Sequence, residues 1–158
     1  MATVSTGSST PTYFAFAPSG DLAVGDTDGK ISLFSMADIA QPEVAQQLPE
    51  ARSSLSQLRF SADGERLLAP TREGHLWVWE KTKGKFVLLV KLSPGASSVQ
   101  GADSFEGSFI MSLDDGRTLA WPDDTEQAVD RLCQQFGTPL DEEDLAKLVP
   151  GVDFINGC

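Results

Sequence analysis

The sequence predicts an all-β chain made of the four-stranded blades of a propeller, and three observations predict it. A glycine after an acidic residue is followed five residues later by an aromatic, three times over: Gly29 to Phe34, Gly74 to Trp79 and Gly116 to Trp121. The glycines lie 45 and 42 residues apart. A period of about 40–45 residues closing on an aromatic marks a propeller blade, a sheet stacked against its neighbours. Between these phrases, short apolar runs alternate with turn residues, as many short strands require.

The elements follow in chain order. Residues 1–11 form an arm biased to Ser, Thr and Gly. Met1 to Thr10 has neither the basic residue nor the apolar stretch of a signal peptide. The first blade spans about 12–50. Phe16 precedes Gly20 by four residues, a turn leads into the strand Leu22–Val24, and Asp28-Gly29 turns into the next strand. There Ile31 and Leu33 share one face, Ser32 and Phe34 the other, and Val44–Leu48 supplies the outer strand. The second blade, about 51–93, repeats the plan with Phe60, Gly64, the strand Leu67–Ala69, the turn Glu73-Gly74 and the outer strand Phe86–Leu92. Leu76 and Val78 oppose Trp77 and Trp79.

Glycine reaches positive φ without steric cost, and Asp-Gly between apolar runs is a strong hairpin signal. Strands apolar on both faces suit a sheet covered on both sides. The third blade, about 94–122, is degraded. Ser108–Leu113 and Arg117–Trp121 flank Asp115-Gly116, but its first strand, Val99–Phe105, is polar and interrupted by glycine. Beyond Trp121 the pattern turns helical, over 123–158. Asp124-x-x-Gln127 opens a capping-box-like start. Ala128, Val129, Leu132, Cys133 and Phe136 share one face, and Gly137 ends the helix. A second short helix begins near Asp141, buries Leu145 and Leu148 and stops before Pro150.

The run FSADGERLLAPTREGHLWVWE resembles the WD-repeat β-propeller family, and the resemblance covers residues 13 to about 122. In that family an Asp usually follows the Trp; Ser35, Glu80 and Pro122 stand there instead. The family's histidine, part of a Trp–Ser/Thr–His–Asp hydrogen-bond network, is missing, and the single histidine, His75, follows the turn glycine. The resemblance implies blades held by packing more than by that network. It also implies closure of the ring by an N-terminal strand, for which Ala2–Thr6 is the β-prone segment. The tail, from Arg131-Leu-Cys133 through Asp141–Leu145 and Val149-Pro-Gly151 to Cys158, resembles that of bacterial WD-repeat signalling proteins, with Asp141 and Leu145 standing for a Thr and a Trp.

With 158 residues the chain has room for one domain with a sizeable core. A net charge of −11 and only 12 Lys and Arg, read as unclustered, exclude nucleic acid and an anionic membrane surface as partners. No apolar run reaches the roughly 20 residues of a membrane span. Two cysteines fit a reduced, cytoplasmic chain. Cys133 is either a small core hydrophobe or half of a Cys133–Cys158 disulfide, since spacing does not fix pairing.

Catalytic and metal chemistry find no support. Asp26-Thr27-Asp28-Gly29 has the look of a calcium loop, but the twelfth position, a bidentate Glu in an EF-hand, is Ala37, and the hairpin turn is the better reading. Zinc would need about four Cys or His ligands. A nucleophile needs a base held by a third group, and His75 beside a turn does not provide it. The adjacent pairs Asp114/Asp115, Asp123/Asp124 and Glu142/Glu143 are solvated rather than poised. No cofactor is expected. Trp77, Trp79 and Trp121 read as blade core before they read as an aromatic cage. Loops on a rigid scaffold carry binding, so the rim turns Asp26, Thr27, Thr71, Arg72 and Asp114 are the candidate binding residues. The expected function is non-catalytic: a protein-interaction or sensor module of a bacterial WD-repeat signalling or defence protein. The alternative is a structural half-propeller that assembles with itself or a companion chain, because closed propellers take 4–8 blades.

Overall fold

A computed structural model describes residues 3–4, 9–48, 51 and 53–124. The chain separates into two compact units, 1–120 and 121–158. Among the described residues there are eleven strands in three antiparallel sheets and no helix. The first sheet runs β1 (Pro11–Phe16), β2 (Leu22–Asp26), β3 (Ile31–Ser35) and β4 (Glu43–Leu48), each beside the next. The second runs β5 (Arg59–Phe60), β6 (Arg66–Pro70), β7 (Leu76–Thr82) and β8 (Lys85–Leu92). The third runs β9 (Val99–Phe105), β10 (Ser108–Leu113) and β11 (Thr118–Pro122). The fold is all-β, with partial WD-type propeller blades, as the repeat implied. The helices expected after residue 123 and both cysteines lie outside the described residues. The closing strand at Ala2–Thr6 does so in large part; of that segment Thr3 and Val4 are described, without strand structure.

Alternation along each strand builds the contacts between blades. Ile31, Leu33 and Leu48 of the first blade share a core with Leu67, Ala69, Trp79 and Phe86 of the second. Leu68, Leu76, Val78 and Leu92, on the opposite face of the second blade, join Val99, Ala102, Phe109, Met111 and Leu113 of the third. The other face of the first blade carries Leu22, Val24 and Phe34, with Val4 and Met36 against them. Of the three repeated aromatics, Trp79 and Phe34 are buried, whereas Trp121 is 42% exposed.

The Trp79 ring lies parallel to that of Trp77 at 6.2 Å. Its indole N–H is buried without a hydrogen-bond partner among the described residues. That orphaned donor is the physical counterpart of the missing histidine network: packing alone seats this tryptophan.

Polar ties between blades supply what the polar third blade lacks. The Gln46 side chain bridges the backbone of Phe86, accepting from its N–H at 2.9 Å and donating to its carbonyl at 2.6 Å. Gln57 accepts from Ala102 N–H at 2.8 Å, securing the glycine-interrupted β9 against the second blade. Arg59 reaches Asp103 at 2.9 Å. Even irregularities recur: the β3–β4 ladder skips Ala45 and the β7–β8 ladder skips Leu89, bulges at matching places in the two blades.

The repeated glycines fix where the turns can sit. Gly29 and Gly74 have φ of 75° and 77°, and a Cβ on either would run into backbone of the next inter-blade loop. At Gly29 the obstacles are the carbonyls of Ala51 and Ser53; at Gly74, the carbonyl of Ala96. Gly116 has φ of 86°, but a Cβ there meets nothing within 4 Å. Gly116→Ala should therefore cost only conformational strain, about 1 kcal/mol. Gly74→Ala adds a backbone collision and should cost about 3 kcal/mol. Denaturant unfolding of the two variants checks the order, which equal losses would contradict.

Candidate functional site

The turns β2–β3, β6–β7 and β10–β11 share one construction. Each closes by a backbone hydrogen bond onto itself: Gly29 N–H to Asp26 O at 3.1 Å, Gly74 N–H to Thr71 O and Gly116 N–H to Leu113 O, both at 3.3 Å. Each then donates from its next residue to the segment leading into its own blade. Thr27 N–H bonds Thr10 O at 3.0 Å, Arg72 N–H bonds Ser54 O at 2.9 Å and Asp114 N–H bonds Ser98 O at 3.2 Å. The three acceptors stand at intervals of 44 residues. This lattice, legible in sequence only as a period, makes one rim of the blades.

Side chains divide the five rim candidates into two groups. Asp26 and Thr71 are buried and point into their own turns. Asp26 Oδ1 accepts from the N–H groups of Asp28 at 3.0 Å and Lys30 at 2.9 Å. Thr71 Oγ1 accepts from His75 N–H and donates to His75 O, both at 3.2 Å. Its backbone carbonyl also takes Val99 N–H at 3.0 Å, tying the second blade to the third. Thr27, Arg72 and Asp114 are exposed. They present a hydroxyl, a cation and an anion from pegged backbone, so this trio forms the accessible part of the rim. Polar local chemistry explains the inward pair, because Asp and Thr favour such turn bonds.

Neighbouring charges complete the rim. Asp115 sits 2.6 Å from Arg117, whose hydrogen bonds hold its carboxyl below the usual range. Among the described residues no three His, Cys, Asp or Glu side chains converge as a metal site. No helix of the described residues is long and apolar enough to cross a membrane.

Two features outside the rim escaped sequence reading. Phe14 and Phe16 of β1 stand 72% and 58% exposed, edge to face at 6.4 Å. Their cross-strand partners Val24 and Leu22 place them on the face that carries Phe34, where those three are buried and Phe14 and Phe16 are not. The alternation with the half-buried Tyr13 and Ala15 was the available signal. The second feature corrects the reading of unclustered basic residues. Lys81, Lys83, Lys85 and Lys91, four of the 12, gather at the β7–β8 hairpin with no acidic residue between 81 and 91.

Among solved structures, Sqt1 of Saccharomyces cerevisiae matches 77% of this chain and 34% of its own length, at 15% identity and a TM-score of 0.68. The β-propeller domain of Cps50 (Swd1) from Myceliophteria thermophila matches 76% of this chain and 38% of its own, at 22% identity and a TM-score of 0.61. Both are WD-repeat propellers. The chain has the fold of WD-repeat β-propeller blades. It spans about a third of the length of those two propellers. The Polycomb group protein FIE1 of Oryza sativa subsp. japonica is 32% identical over 62 residues, which are 38% of this chain and 13% of that protein. No protein-family profile matches the chain.

His75 gives the rim a pH signature. Burial first, then the charge of Lys91, depresses its pKa below the usual 6.5, with Glu73 opposing. Its Nδ1 lies 3.0 Å from Ser93 Oγ. Below pH 6.5 the unfolded chain takes up the proton more readily than the folded one, so stability falls as pH drops through 6.5 toward the depressed value. Unfolding midpoints across pH 7.5 to 5 should show this decline, and His75→Gln should flatten it. A wild-type profile flat across that window would contradict the depression.

Proposed function

We propose that the chain is a non-catalytic protein-interaction module, a sensing or scaffolding part of a signalling or defence protein. The carrying observation is the set Phe14, Phe16 and Val44, exposed on the two edge strands of the first blade around the buried Leu22, Val24 and Phe34. A propeller blade buries both faces, and clustered exposed apolar side chains mark a surface meant for another protein. The rim trio Thr27, Arg72 and Asp114 adds a polar recognition surface on pegged backbone. The shared fold with other β-propellers is consistent with the same reading. A bacterial source for the parent protein rests on the likeness of the tail alone, and a cytoplasmic location on the sparse cysteines.

The same face favours a second reading. Three blades are fewer than the 4–8 of a closed ring, and a second copy, a companion chain or further blades of the same protein packed on this face would complete it. Sedimentation equilibrium separates these outcomes. Twice the 16.9 kDa chain mass is expected for self-completion, whereas a folded monomer rules self-completion out. In either case Phe14→Ser with Phe16→Ser should cut binding of a hydrophobic dye severalfold, or release the dimer, while the β-sheet signal persists. Neither change would mean that this face is not an interaction surface.

A further inference from the structure

The lysine-lined edge of the second blade is a separate surface, on different residues from the rim and the β1 face. β8 is the outermost strand of its sheet, paired to β7 on one side only. Its opposite side is engaged at a single residue, Phe86, by the Gln46 amide. That amide accepts from the N–H and donates to the C=O of one residue, as the peptide groups of a neighbouring strand would. Beyond Phe86, among the described residues, no group bonds the outer side of β8.

Side chains distinguish this edge from its equivalent in the first blade. β4 occupies the same place and exposes Glu43, Ala45 and Gln47 beside Val44. β8 exposes Val87 at 49%, Leu88 at 41% and Leu89 at 41%, three consecutive apolar residues. A long apolar edge is a template for strand pairing, and folded proteins usually blunt it with inward charges or proline. Here the charges flank the apolar run instead. Lys83 and Gly84, with φ of 50° and 79°, form the tight β7–β8 turn, which places Lys81, Lys83 and Lys85 together at one end. Lys91 stands near the other end, its ammonium 4.9 Å from the Trp77 ring centroid. None of the four forms an ion pair with a described acidic residue.

We propose that the free edge of β8 binds an extended acidic segment of another protein by strand addition. Main-chain hydrogen bonds and the Val87–Leu89 surface supply affinity, and the flanking lysines select Asp and Glu at the ends of an apolar stretch. The same lysines decide against a second copy of this chain. Two β8 edges paired antiparallel would bring Lys85 of each toward Lys91 of the other, and facing like charges destabilise a strand pair. Nucleic acid fits less well, because the four lysines surround an aliphatic surface and the chain carries a net charge of −11.

The test is titration of the full chain with a fluorescent ten-residue peptide of four central Val and Ile residues flanked by Asp and Glu. Saturable binding is expected, weakening with salt, and at least tenfold weaker for Lys85→Glu with Lys91→Glu. Methylating alternate backbone nitrogens of the peptide should abolish binding to the unaltered chain, a readout that does not depend on a variant folding. An absence of binding below millimolar peptide would overturn the proposal. So would equal affinity for the N-methylated peptide or for a lysine-flanked one, or tighter binding of a single-stranded oligonucleotide at the same lysines.

Discussion

Three backbone carbonyls, those of Ala51, Ser53 and Ala96, occupy the space where side chains at Gly29 and Gly74 would begin. The rest of the structure depends on that contact. It lets the β2–β3 and β6–β7 turns lie directly against the loops that lead to the next blade, so the register of those blades is set by backbone against backbone. The rim hydrogen bonds from Thr27, Arg72 and Asp114 then fix the entrance of each blade to its own turn. Packing of Trp79, Leu67 and Ile31 follows from the spacing so imposed. In blades without a histidine network this backbone lock, together with apolar burial, carries the order.

Much of the fold was legible because its determinants are local. Turn glycines at positive φ, period-two alternation and the terminal aromatic all act within about ten residues. They located β2, β3, β6, β7 and β10, and even the polar β9, whose bounds coincide with Val99–Phe105. What escaped was non-local or ambiguous. Gln46 and Gln57 act on backbone 40 and 45 residues away, and nothing near them in sequence announces it. Phe14 and Phe16 alternate with Tyr13 and Ala15 as any two-sided strand does, and the pattern does not say which side chains are left exposed.

The candidate site was legible as a place but not as a set of side chains. Five turn residues were singled out by position, and the structure turns Asp26 and Thr71 inward while leaving Thr27, Arg72 and Asp114 outside. An Asp or Thr at the start of a tight turn satisfies nearby N–H groups, and that local preference consumes the side chain. The lysines were overlooked for a different reason. Lys81, Lys83 and Lys85 alternate within five residues of sequence, but that they and Lys91 flank an exposed apolar edge shows only once β8 is seen as the outer strand of its sheet.

These features describe blades whose regular interior serves irregular surfaces. The cores between blades are aliphatic and aromatic, while the three available surfaces differ in chemistry: an apolar blade face, a mixed-charge rim and a cationic apolar edge. Amide hydrogen exchange at Thr27, Arg72 and Asp114 tests the backbone lock most directly. Although these residues lie in exposed turns, their N–H groups should be protected to an extent comparable with the neighbouring strands. Exchange at the rate of an open turn at all three positions would contradict a rim held by its backbone.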